Sequence, residues 1–392
     1  MVGAPDRGHA SGRPFTGKDL IMSHLDTTAA GPQTGGGWPD PASLDVDSER
    51  LDELLGRAIV DAGATTSAGL VVLGMRLGLY EALAGGPLTT AELAGRTGTA
   101  ERYVREWVRA QAAGGYLTHD PDGDRYGMSP EHALAFNPRG PLNLGTMFRF
   151  AVRALTGLDR LEAAMRSGEG IGWHEQDDEL VASVADFFRS GYAAHLVTEW
   201  IPALDGVHER LTAGARVADV GCGYGVTTIL MAQAYPASEF EGYDYHDVSI
   251  ERARKAAESA GVSERARFTV CAATEIPAGG YDLVCTFDAL HDYGDPVGAA
   301  RRMREALGEG GTWLLVEPAA GDRVQDNLHP MGRMFYAAST YMCVPNAVSQ
   351  GGSAMGAQAG GQALRRVLEE AGFTDVRLVA STPVNHVYQV RP

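Results

Sequence analysis

The feature that most constrains this chain is a glycine-rich stretch in its second half, residues 216–228. Val217 to Val220 form a short apolar run, which is typical of a buried parallel strand. Three glycines at alternate positions follow, and the apolar segment from Thr228 to Ala234 then has the character of a helix. Glycine lets the backbone turn sharply, and the first N–H groups of a helix are unpaired. The stretch therefore predicts a strand–turn–helix unit with a ligand above the turn.

The spacing of these glycines distinguishes two kinds of nucleotide-derived ligand. Gly221, Gly223 and Gly225 give a G-x-G-x-G pattern, whereas a dinucleotide site has G-x-G-x-x-G. Asp244 ends the next strand-like run, where a carboxylate can accept hydrogen bonds from both ribose hydroxyls. With Asp219 two residues before the first glycine, the pattern resembles the first motif of S-adenosylmethionine-dependent methyltransferases. The resemblance implies that Asp219, the three glycines and Asp244 bind this cofactor.

Short apolar runs alternate with helical segments through the second half of the chain. Strands are predicted at 217–220, 239–244, 267–272, 281–287 and 312–317, with helices at 227–235, 248–260 and 296–307. A further helix at 361–372 and closing strands at 376–379 and 386–390 complete the pattern. The alternation predicts an α/β fold with a Rossmann-like, doubly wound sheet over residues 206–392. We interpret residues 321–360, which have little periodicity, as a lid beside the site.

The first half of the chain predicts a mainly helical, winged-helix-like domain. Residues 1–45 are rich in Gly, Pro, Ser and Thr and predict a disordered leader. Residues 46–140 contain apolar helical stretches, a helix–turn–helix and a hairpin with an Asp-Gly turn. Residues 141–205 are helical and aromatic, which is typical of a connector that caps a site.

The winged-helix pattern leaves two functions open, DNA binding and a dimerisation module that also caps the substrate. The candidate recognition helix, 101–113, sets three arginines against two glutamates. The wing carries Asp120, Asp122 and Asp124 with a single arginine, and the whole chain has a formal net charge of −17. Carboxylates in the wing would repel DNA phosphates. We therefore favour a homodimer through this domain and no nucleic-acid partner.

Composition indicates a globular cytoplasmic protein. Hydrophobic residues make up 44% of the chain, and no run of 18 uncharged apolar residues predicts a membrane span or a membrane partner. The N-terminus shows no apolar signal segment after a basic start, which argues against secretion. The four cysteines have no C-x-x-C spacing, so neither a metal site nor a disulfide framework is expected.

The loop after the fourth predicted strand carries the candidate catalytic group. Phe287 and Asp288 end this strand and His291 follows, at the edge of the sheet where the carboxyl ends of parallel strands face the ligand. A histidine there can abstract a proton near neutral pH, which a hydroxyl acceptor of a methyl group requires. The alternative is a histidine that only packs beside the site.

A second resemblance starts from this loop. Leu290-His291-Asp292-Tyr293 with Asp295 resembles the L-H-D-W-x-D motif of small-molecule O-methyltransferases. The resemblance implies that His291 is the general base, that Glu317 is the acidic residue flanking it, and that the N-terminal domain forms the dimer. Tyr293 stands where tryptophan is usual, which changes the shape of the pocket.

Nearly all of residues 48–392 is similar to an actinobacterial methyltransferase family. The matching runs include Gly221-Cys222-Gly223-Tyr224-Gly225, Asp244-Tyr245-His246, Ser249-Ile250-Glu251-Arg252-Ala253-Arg254, Tyr281-Asp282-Leu283-Val284-Cys285, Gly294-Asp295-Pro296-Val297-Gly298-Ala299-Ala300-Arg301 and Val316-Glu317-Pro318. Its members pair a winged-helix-like domain with a Rossmann-like methyltransferase domain, and their acceptors are mostly unassigned. The resemblance implies that Tyr245, Phe287 and Asp288 also line the cofactor site.

One departure from methyltransferases concerns the adenine ring. The position after the third strand that usually receives the adenine amino group is acidic or an amide, and here we align Ala272 with it. Backbone groups, Thr274 or ring stacking remain to hold the adenine. Candidate acceptor contacts come from the connector and the lid, and they are Tyr192, His195, Asn327, Arg333, Tyr336 and Tyr341.

These observations predict an enzyme that transfers a methyl group from S-adenosylmethionine to a small organic acceptor. An oxygen of a specialised metabolite, as in natural product biosynthesis, is the favoured target because His291 supplies a base. N- or C-methylation of a small molecule or peptide remains one alternative. A winged-helix regulator that senses S-adenosylmethionine is the other.

Overall fold

The computed structural model describes residues 43–138, 140, 142–352 and 354–392. The predicted leader, residues 1–45, therefore lies almost wholly outside the described residues. The described chain forms a helical N-terminal domain with a small hairpin, a helical connector and a seven-stranded sheet flanked by helices. This arrangement confirms the predicted Rossmann-like α/β fold with a mainly helical N-terminal domain.

The N-terminal domain has the predicted order of helices and hairpin. Its elements are α1 (Ser48–Arg76), α2 (Leu79–Ala84), α3 (Thr90–Thr97), α4 (Glu101–Ala113), β1 (Thr118–Asp120), β2 (Arg125–Gly127) and α5 (Pro130–Phe136). Helix α3 begins with a capping box in which the Thr89 hydroxyl accepts from the Glu92 N–H and the Glu92 carboxylate accepts from the Thr89 N–H. The αL residue Gly98 ends it and starts the turn into α4. Local capping thus sets the helix–turn–helix.

Helix α1 is the one helix of the described chain that is long and apolar enough to cross a membrane by length and composition. An 18-residue window has a mean hydropathy of 1.5, and 22% of that window is buried. The helix packs on α2, α4 and α6, which runs from Gly145 to Leu155, and the Trp107 indole donates to the Leu70 carbonyl at 2.8 Å. One such helix is weak support for a membrane segment. The absence of a membrane partner stays a prediction.

The connector places one long helix against the sheet domain. After α6 come α7 (Leu158–Ser167), a 3₁₀ turn at Trp173–Glu175, α8 (Asp178–His195), a π-helical turn at Leu196–Trp200 and α9 (Val207–Ala213). The Asp177 side chain accepts from the N–H groups of Glu179 and Leu180 and so starts α8. Because α8 packs on α6 and on the helix after β3, it links the two domains.

The sheet brings the carboxyl ends of five parallel strands to one edge. Its strands are β3 (Arg216–Val220), β4 (Glu239–Asp244), β5 (Ala266–Val270), β6 (Tyr281–Phe287), β7 (Leu307–Pro318), β8 (Asp375–Ser381) and β9 (Asn385–Arg391). The order is β5-β4-β3-β6-β7-β9-β8, and β9 is antiparallel to both of its neighbours. Strand order reverses between β3 and β6, which is where ligands bind in open α/β sheets.

Helices cover both faces of this sheet, and most begin or end within two residues of their predicted limits. They are α10 (Val226–Ala234), α11 (Asp247–Ser259), α12 (Pro296–Ala306) and, after the lid, α15 (Gly360–Glu370). Strand β7 begins earlier than predicted, at Leu307 instead of 312, because its first residues continue directly from α12.

The lid is largely helical although its sequence shows little periodicity. It contains α13 (Pro330–Ala338), a π-helical turn at Ser339–Cys343 and α14 (Val344–Ser349). A π-helical turn inserts one residue into the 3.6-residue repeat and shifts the apolar stripe. This shift explains why the sequence lacks a clear period although the segment is largely helical.

Candidate active site

The glycine turn after β3 has the backbone conformation that its composition predicts. Gly221, Gly223 and Gly225 have φ angles of 77°, 52° and 74°, a region that favours glycine. A Cβ on Gly225 would lie 2.7 Å from the Phe268 ring, so any side chain there would clash. Gly221 and Gly223 line a cavity of about 330 Å³ at the carboxyl edge of the sheet, which we call the cofactor cavity.

Asp244 joins the tip of β4 to the glycine turn. One carboxylate oxygen accepts from the Gly223 N–H and the other from the His246 N–H, each at 2.9 Å. The side chain is buried and lines the cofactor cavity, and burial raises the pKa of its carboxyl group. The sequence placed this carboxylate one strand away from the glycine turn, and the structure brings the two into direct contact.

Asp219 lies behind the turn. Its Oδ2 accepts hydrogen bonds from the Thr227 and Thr228 hydroxyls, both at 2.6 Å, while Oδ1 is buried without a hydrogen-bond partner among the described residues. Burial raises the pKa of Asp219 to about 6. Neither Asp219 nor Gly225 is among the described residues that line the cofactor cavity. Asp219 therefore fixes the start of α10 beneath the turn.

Most other predicted cofactor contacts do line this cavity. Tyr245, Thr274, Phe287 and Asp288 all belong to its wall, as does Ala272 at the aligned adenine position. Sequence reasoning missed further lining residues that come from the connector and the lid, among them Trp173, Asn346 and Gln350.

Asn346 binds the segments around the cofactor cavity to one another. Its Oδ1 accepts from the Tyr245 hydroxyl at 2.8 Å and from the Trp173 N–H at 3.2 Å. Its Nδ2 donates to the Asp292 carbonyl at 3.0 Å, and the residue is only 2% exposed. The lid is thereby tied to both the cofactor wall and the loop that carries His291. Only the folded chain brings these segments together, because they are far apart in sequence.

His291 and Glu317 form a buried hydrogen-bonded pair. His291 lies in a 3₁₀ turn after β6, and Glu317 lies near the end of the neighbouring strand β7. His291 Nδ1 is 2.6 Å from Glu317 Oε2, and Glu317 Oε1 accepts from the Leu290 N–H at 2.9 Å. With the Nδ1 proton donated to Glu317, Nε2 is the nitrogen left to accept a proton.

The charges around His291 favour its protonated form. Burial lowers the pKa of His291, but the carboxylates of Asp292 and Glu317 outweigh burial and raise it well above the ordinary 6.5. His291 Nε2 lies 3.2 Å from Asp292 Oδ1. Burial also raises the pKa of the Asp292 carboxyl group. The arrangement gives a strong base that is available only once its proton has been released.

Asp288 sits between two cavities in an unusual backbone conformation. Its φ is 48°, and its carboxylate accepts from the Tyr192 hydroxyl at 2.6 Å and from Asn385 Nδ2 at 2.8 and 2.9 Å. Burial, with the Glu317 charge adding to it, raises the pKa of Asp288 to about 8. The hydrogen bond to Tyr192 attaches helix α8 to the edge of the sheet.

A second, smaller cavity adjoins the first and is lined by His291. This acceptor cavity has a volume of about 90 Å³, and the residues it shares with the cofactor cavity are Trp173, Val184, Phe188, Asp288 and Asp292. Its remaining wall comes from the connector, the end of β7 and the lid, through Met147, Phe150, Phe187, Pro318, Met334, Phe335, Ala338, Met342, Cys343 and Ala357. His291 thus faces a small apolar space next to the cofactor cavity.

The candidate acceptor contacts lie in different places. Tyr192 lines the cofactor cavity, where burial keeps its pKa well above 10 and its hydroxyl donates to Asp288. His195 lines neither cavity. Its Nδ1 lies 3.0 Å from a Glu199 carboxylate oxygen.

The lid candidates also lie outside both cavities. Arg333 forms two hydrogen bonds to Asp61 of α1, at 3.0 and 3.1 Å, on the outer side of α13. Tyr336 is 36% exposed, and Asn327 is buried in hydrogen bonds to the backbone of Gly321. Tyr341 packs in a small cluster beside the connector.

The lid residues that do reach the acceptor cavity carried a signal that sequence reasoning missed. Met334 and Phe335 are followed eight residues later by Met342 and Cys343. A separation of eight residues places two pairs on one face of a helix. The apolar pairs, instead of the polar residues between them, mark the inner face of the lid.

One group of side chains in the described chain could share a metal ion. The donor atoms of His291, Asp292 and Cys343 lie within 4.8 Å of one another. A cysteine ligand must be a thiolate, and burial raises the pKa of Cys343 to about 12. All three residues line the acceptor cavity, and the absence of a metal site stays a prediction.

Comparison with known proteins agrees with this geometry. The profile of a methyltransferase domain family matches residues 211–372, and that of an Rv2258c-like winged HTH domain matches residues 65–137. The chain therefore combines an N-terminal winged helix-turn-helix domain with a class I, Rossmann-like methyltransferase domain.

Two curated relatives match part of the chain. The 27-O-demethylrifamycin SV methyltransferase of Amycolatopsis mediterranei (strain S699) is 33% identical over 118 residues, which cover 28% of this chain and 43% of that protein. The ubiquinone biosynthesis O-methyltransferase of Bordetella avium (strain 197N) is 35% identical over 119 residues, 30% of this chain and 46% of that protein. The match thus spans less than half the length of these curated relatives.

Solved structures share the fold across both domains. The mitomycin 7-O-methyltransferase MmcR is 20% identical, with a TM-score of 0.63 and coverage of 88% of this chain and 98% of that one. At this level of identity the likeness shows the fold alone. It extends over the N-terminal domain, the connector and the sheet.

Proposed function

We propose that this chain is a cytoplasmic methyltransferase that uses S-adenosylmethionine to methylate an oxygen of a small organic molecule. The observation that carries the proposal is the His291–Glu317 pair, because His291 lines the acceptor cavity, which shares part of its wall with the cofactor cavity. The names of the relatives, which include a rifamycin and a ubiquinone methyltransferase, support oxygen as the target and natural product biosynthesis as the setting.

The residues of the cofactor cavity fit S-adenosylmethionine. Asp244 offers a carboxylate to the ribose hydroxyls, and the positive-φ glycines leave the backbone open to a close ligand. Asp288 and Asp292 also line this cavity, and their carboxyl groups, when ionised, would offer negative charge to the sulfonium. Tyr245 and Thr274 lie on the wall by the adenine position. When bound, this cofactor supplies a methyl group activated by a positively charged sulfur.

The chain's own residues supply the base and the position of the acceptor. His291 Nε2 accepts the proton of the acceptor hydroxyl as the oxygen attacks, and the Glu317 carboxylate orients the ring and stabilises the resulting imidazolium. Helix α8 and the lid hold the acceptor against the cofactor cavity and exclude water. Holding two reactants in line accounts for much of the acceleration in such transfers.

The N-terminal domain supports dimerisation better than DNA binding. Two of the three arginines of α4 pair with its own glutamates, Arg105 with Glu101 at 2.8 Å and Arg102 with Glu106. Helix α1 exposes large apolar side chains, including Val60 at 68%. A second copy of the chain is a natural cover for this face. We include a homodimer through this domain in the proposed function, and size-exclusion chromatography with light scattering tests it.

A product assay tests the enzymatic part. Purified protein is incubated with S-adenosylmethionine carrying a deuterated methyl group and a panel of small hydroxyl compounds, and products are analysed by mass spectrometry and NMR. We expect one deuterated methyl group on an oxygen atom. Methylation of nitrogen or carbon would contradict the role of His291 as the base for an oxygen. A gel shift with DNA at low salt would instead favour a regulator.

A further inference from the structure

The acceptor cavity combines apolar walls with acidic groups. Aromatic rings and methionine side chains form most of its surface, and its carboxyl groups belong to Asp288 and Asp292. We propose that the cavity selects an uncharged or cationic aromatic hydroxyl compound and rejects one that carries a carboxylate. This inference rests on the methyl transfer proposed above and adds the class of acceptor.

An acceptor that carries a carboxylate would bring a second anion into the acceptor cavity. Asp292 is 7% exposed and lies beside His291, and the carboxyl group of Asp288 faces the same space. Removing an ionised carboxylate from water without a partner is strongly unfavourable in a medium of low dielectric. An acceptor carboxylate would bear this cost, and the Asp292 carboxylate beside His291 would repel it. The Asp288 carboxyl group, whose pKa is raised to about 8, offers it no positive partner.

The acceptor cavity has little positive charge to offer an anionic acceptor. His291 is the one basic side chain among the described residues that line the acceptor cavity. Its Nδ1 is bound to Glu317 at 2.6 Å, and its Nε2 lies 3.2 Å from Asp292. Two carboxylates already compensate the imidazolium, so it offers no net attraction to an acidic acceptor.

The walls of the acceptor cavity suit a flat aromatic ring. Phe187 and Phe188 form an edge-to-face pair with ring centroids 4.9 Å apart, and Phe335 enters from the lid. Aromatic pairs of this geometry and the polarisable sulfur of Met342 favour contact with another aromatic ring. Because the cavity measures only about 90 Å³, the substituents of an acceptor contact these walls directly.

A positive charge introduced at Met334 should weaken the discrimination against an anionic acceptor. Met334 lies on α13, lines the acceptor cavity and is partly exposed, so a lysine there keeps its stem on the apolar wall and directs its ammonium group toward the opening. Met165 is a matched control, because it is 73% exposed on α7 and lines neither cavity. Met334→Lys and Met165→Lys change the net charge equally.

The experiment uses three phenols of similar size and different charge: para-ethylphenol, tyramine and para-hydroxyphenylacetate. Their dissociation constants are measured calorimetrically on the full protein saturated with S-adenosylhomocysteine. We expect the neutral and cationic phenols to bind about tenfold or more tightly than the anionic one. Met334→Lys should reduce this ratio about fivefold or more, whereas Met165→Lys should leave it unchanged.

Equal or tighter binding of para-hydroxyphenylacetate by the wild type would overturn the inference, and so would a failure of all three phenols to bind. An unchanged ratio in a folded Met334→Lys protein would also contradict it. Product formation is recorded separately with S-adenosylmethionine. Charge-selective binding without any methylation would refute the proposed reaction and leave the selection intact.

Discussion

The cofactor half and the acceptor half of the site are built in different ways. The cofactor half consists of a glycine turn and a carboxylate on adjacent parallel strands, joined by the hydrogen bond from Gly223 to Asp244. The acceptor half consists of side chains from the connector, the lid and the loop after β6. The first depends on backbone conformation and the second on packing between distant segments. We therefore expect substitutions in the two halves to affect binding and turnover separately.

The largest effect is expected for the His291–Glu317 pair. His291→Ala should lower turnover by about 10²–10⁴-fold, since it removes the base, while affinity for S-adenosylhomocysteine stays near that of the wild type. His195→Ala is the control, because His195 lines neither cavity. Turnover in steady state and calorimetric affinity are the two measurements. If His291→Ala kept its turnover, the residue would only pack beside the site.

Asp244→Ala should weaken binding of the cofactor, whereas His291→Ala should lower turnover and leave cofactor binding unchanged. Loss of charge-assisted hydrogen bonds, worth about 1.5–3 kcal/mol, should weaken binding of S-adenosylhomocysteine about 10- to 100-fold. Glu239→Ala, at the exposed start of the same strand, should not change it. Equilibrium dialysis measures both affinities. An undiminished affinity in Asp244→Ala would remove this carboxylate from the cofactor site.

The pH profile of kcat/KM tests the charge on the catalytic pair. The base must be unprotonated, so activity should rise with pH through the raised pKa of His291, above 6.5. Glu317→Gln removes one of the carboxylates that raise this pKa, so the rise should move to lower pH and reach a lower plateau. A rise at the same pH in a folded Glu317→Gln protein would show that another group controls the profile.

The smallest expected effect concerns the outer side of the lid. Arg333 and Asp61 are 72% and 39% exposed, and exposed ion pairs contribute little. Arg333→Gln should change kcat and KM by less than about twofold and leave the melting temperature nearly unchanged. A large rise in KM for the acceptor would place Arg333 in contact with it after all, as the sequence suggested.

The contrast between the halves also explains what could be predicted from the sequence. The glycine turn, Asp244 and the loop of His291 are encoded locally, by positive-φ positions and by residues that end parallel strands. The order of strands and helices follows from short-range periodicity in the same way. These features could be predicted without any tertiary information.

The acceptor half could not be predicted in that way, because its contacts join residues that are far apart. Trp173 meets Asn346, and Tyr192 meets Asp288, although each pair is separated by many elements. Arg333 has the chemistry of a ligand contact, yet it pairs with Asp61. A π-helical turn at Ser339–Cys343 also obscures the apolar stripe of the lid. Residue type alone suggests which side chains could contact the acceptor, but tertiary packing determines which of them line the acceptor cavity.

The most direct test of the account is a calorimetric titration of the intact protein with S-adenosylhomocysteine, set beside an identical titration with NAD. The G-x-G-x-G turn and Asp244 predict saturable heat at one site per chain for the first ligand and none for the second. No heat with S-adenosylhomocysteine, or saturable heat with NAD, would contradict the assignment of the cofactor cavity.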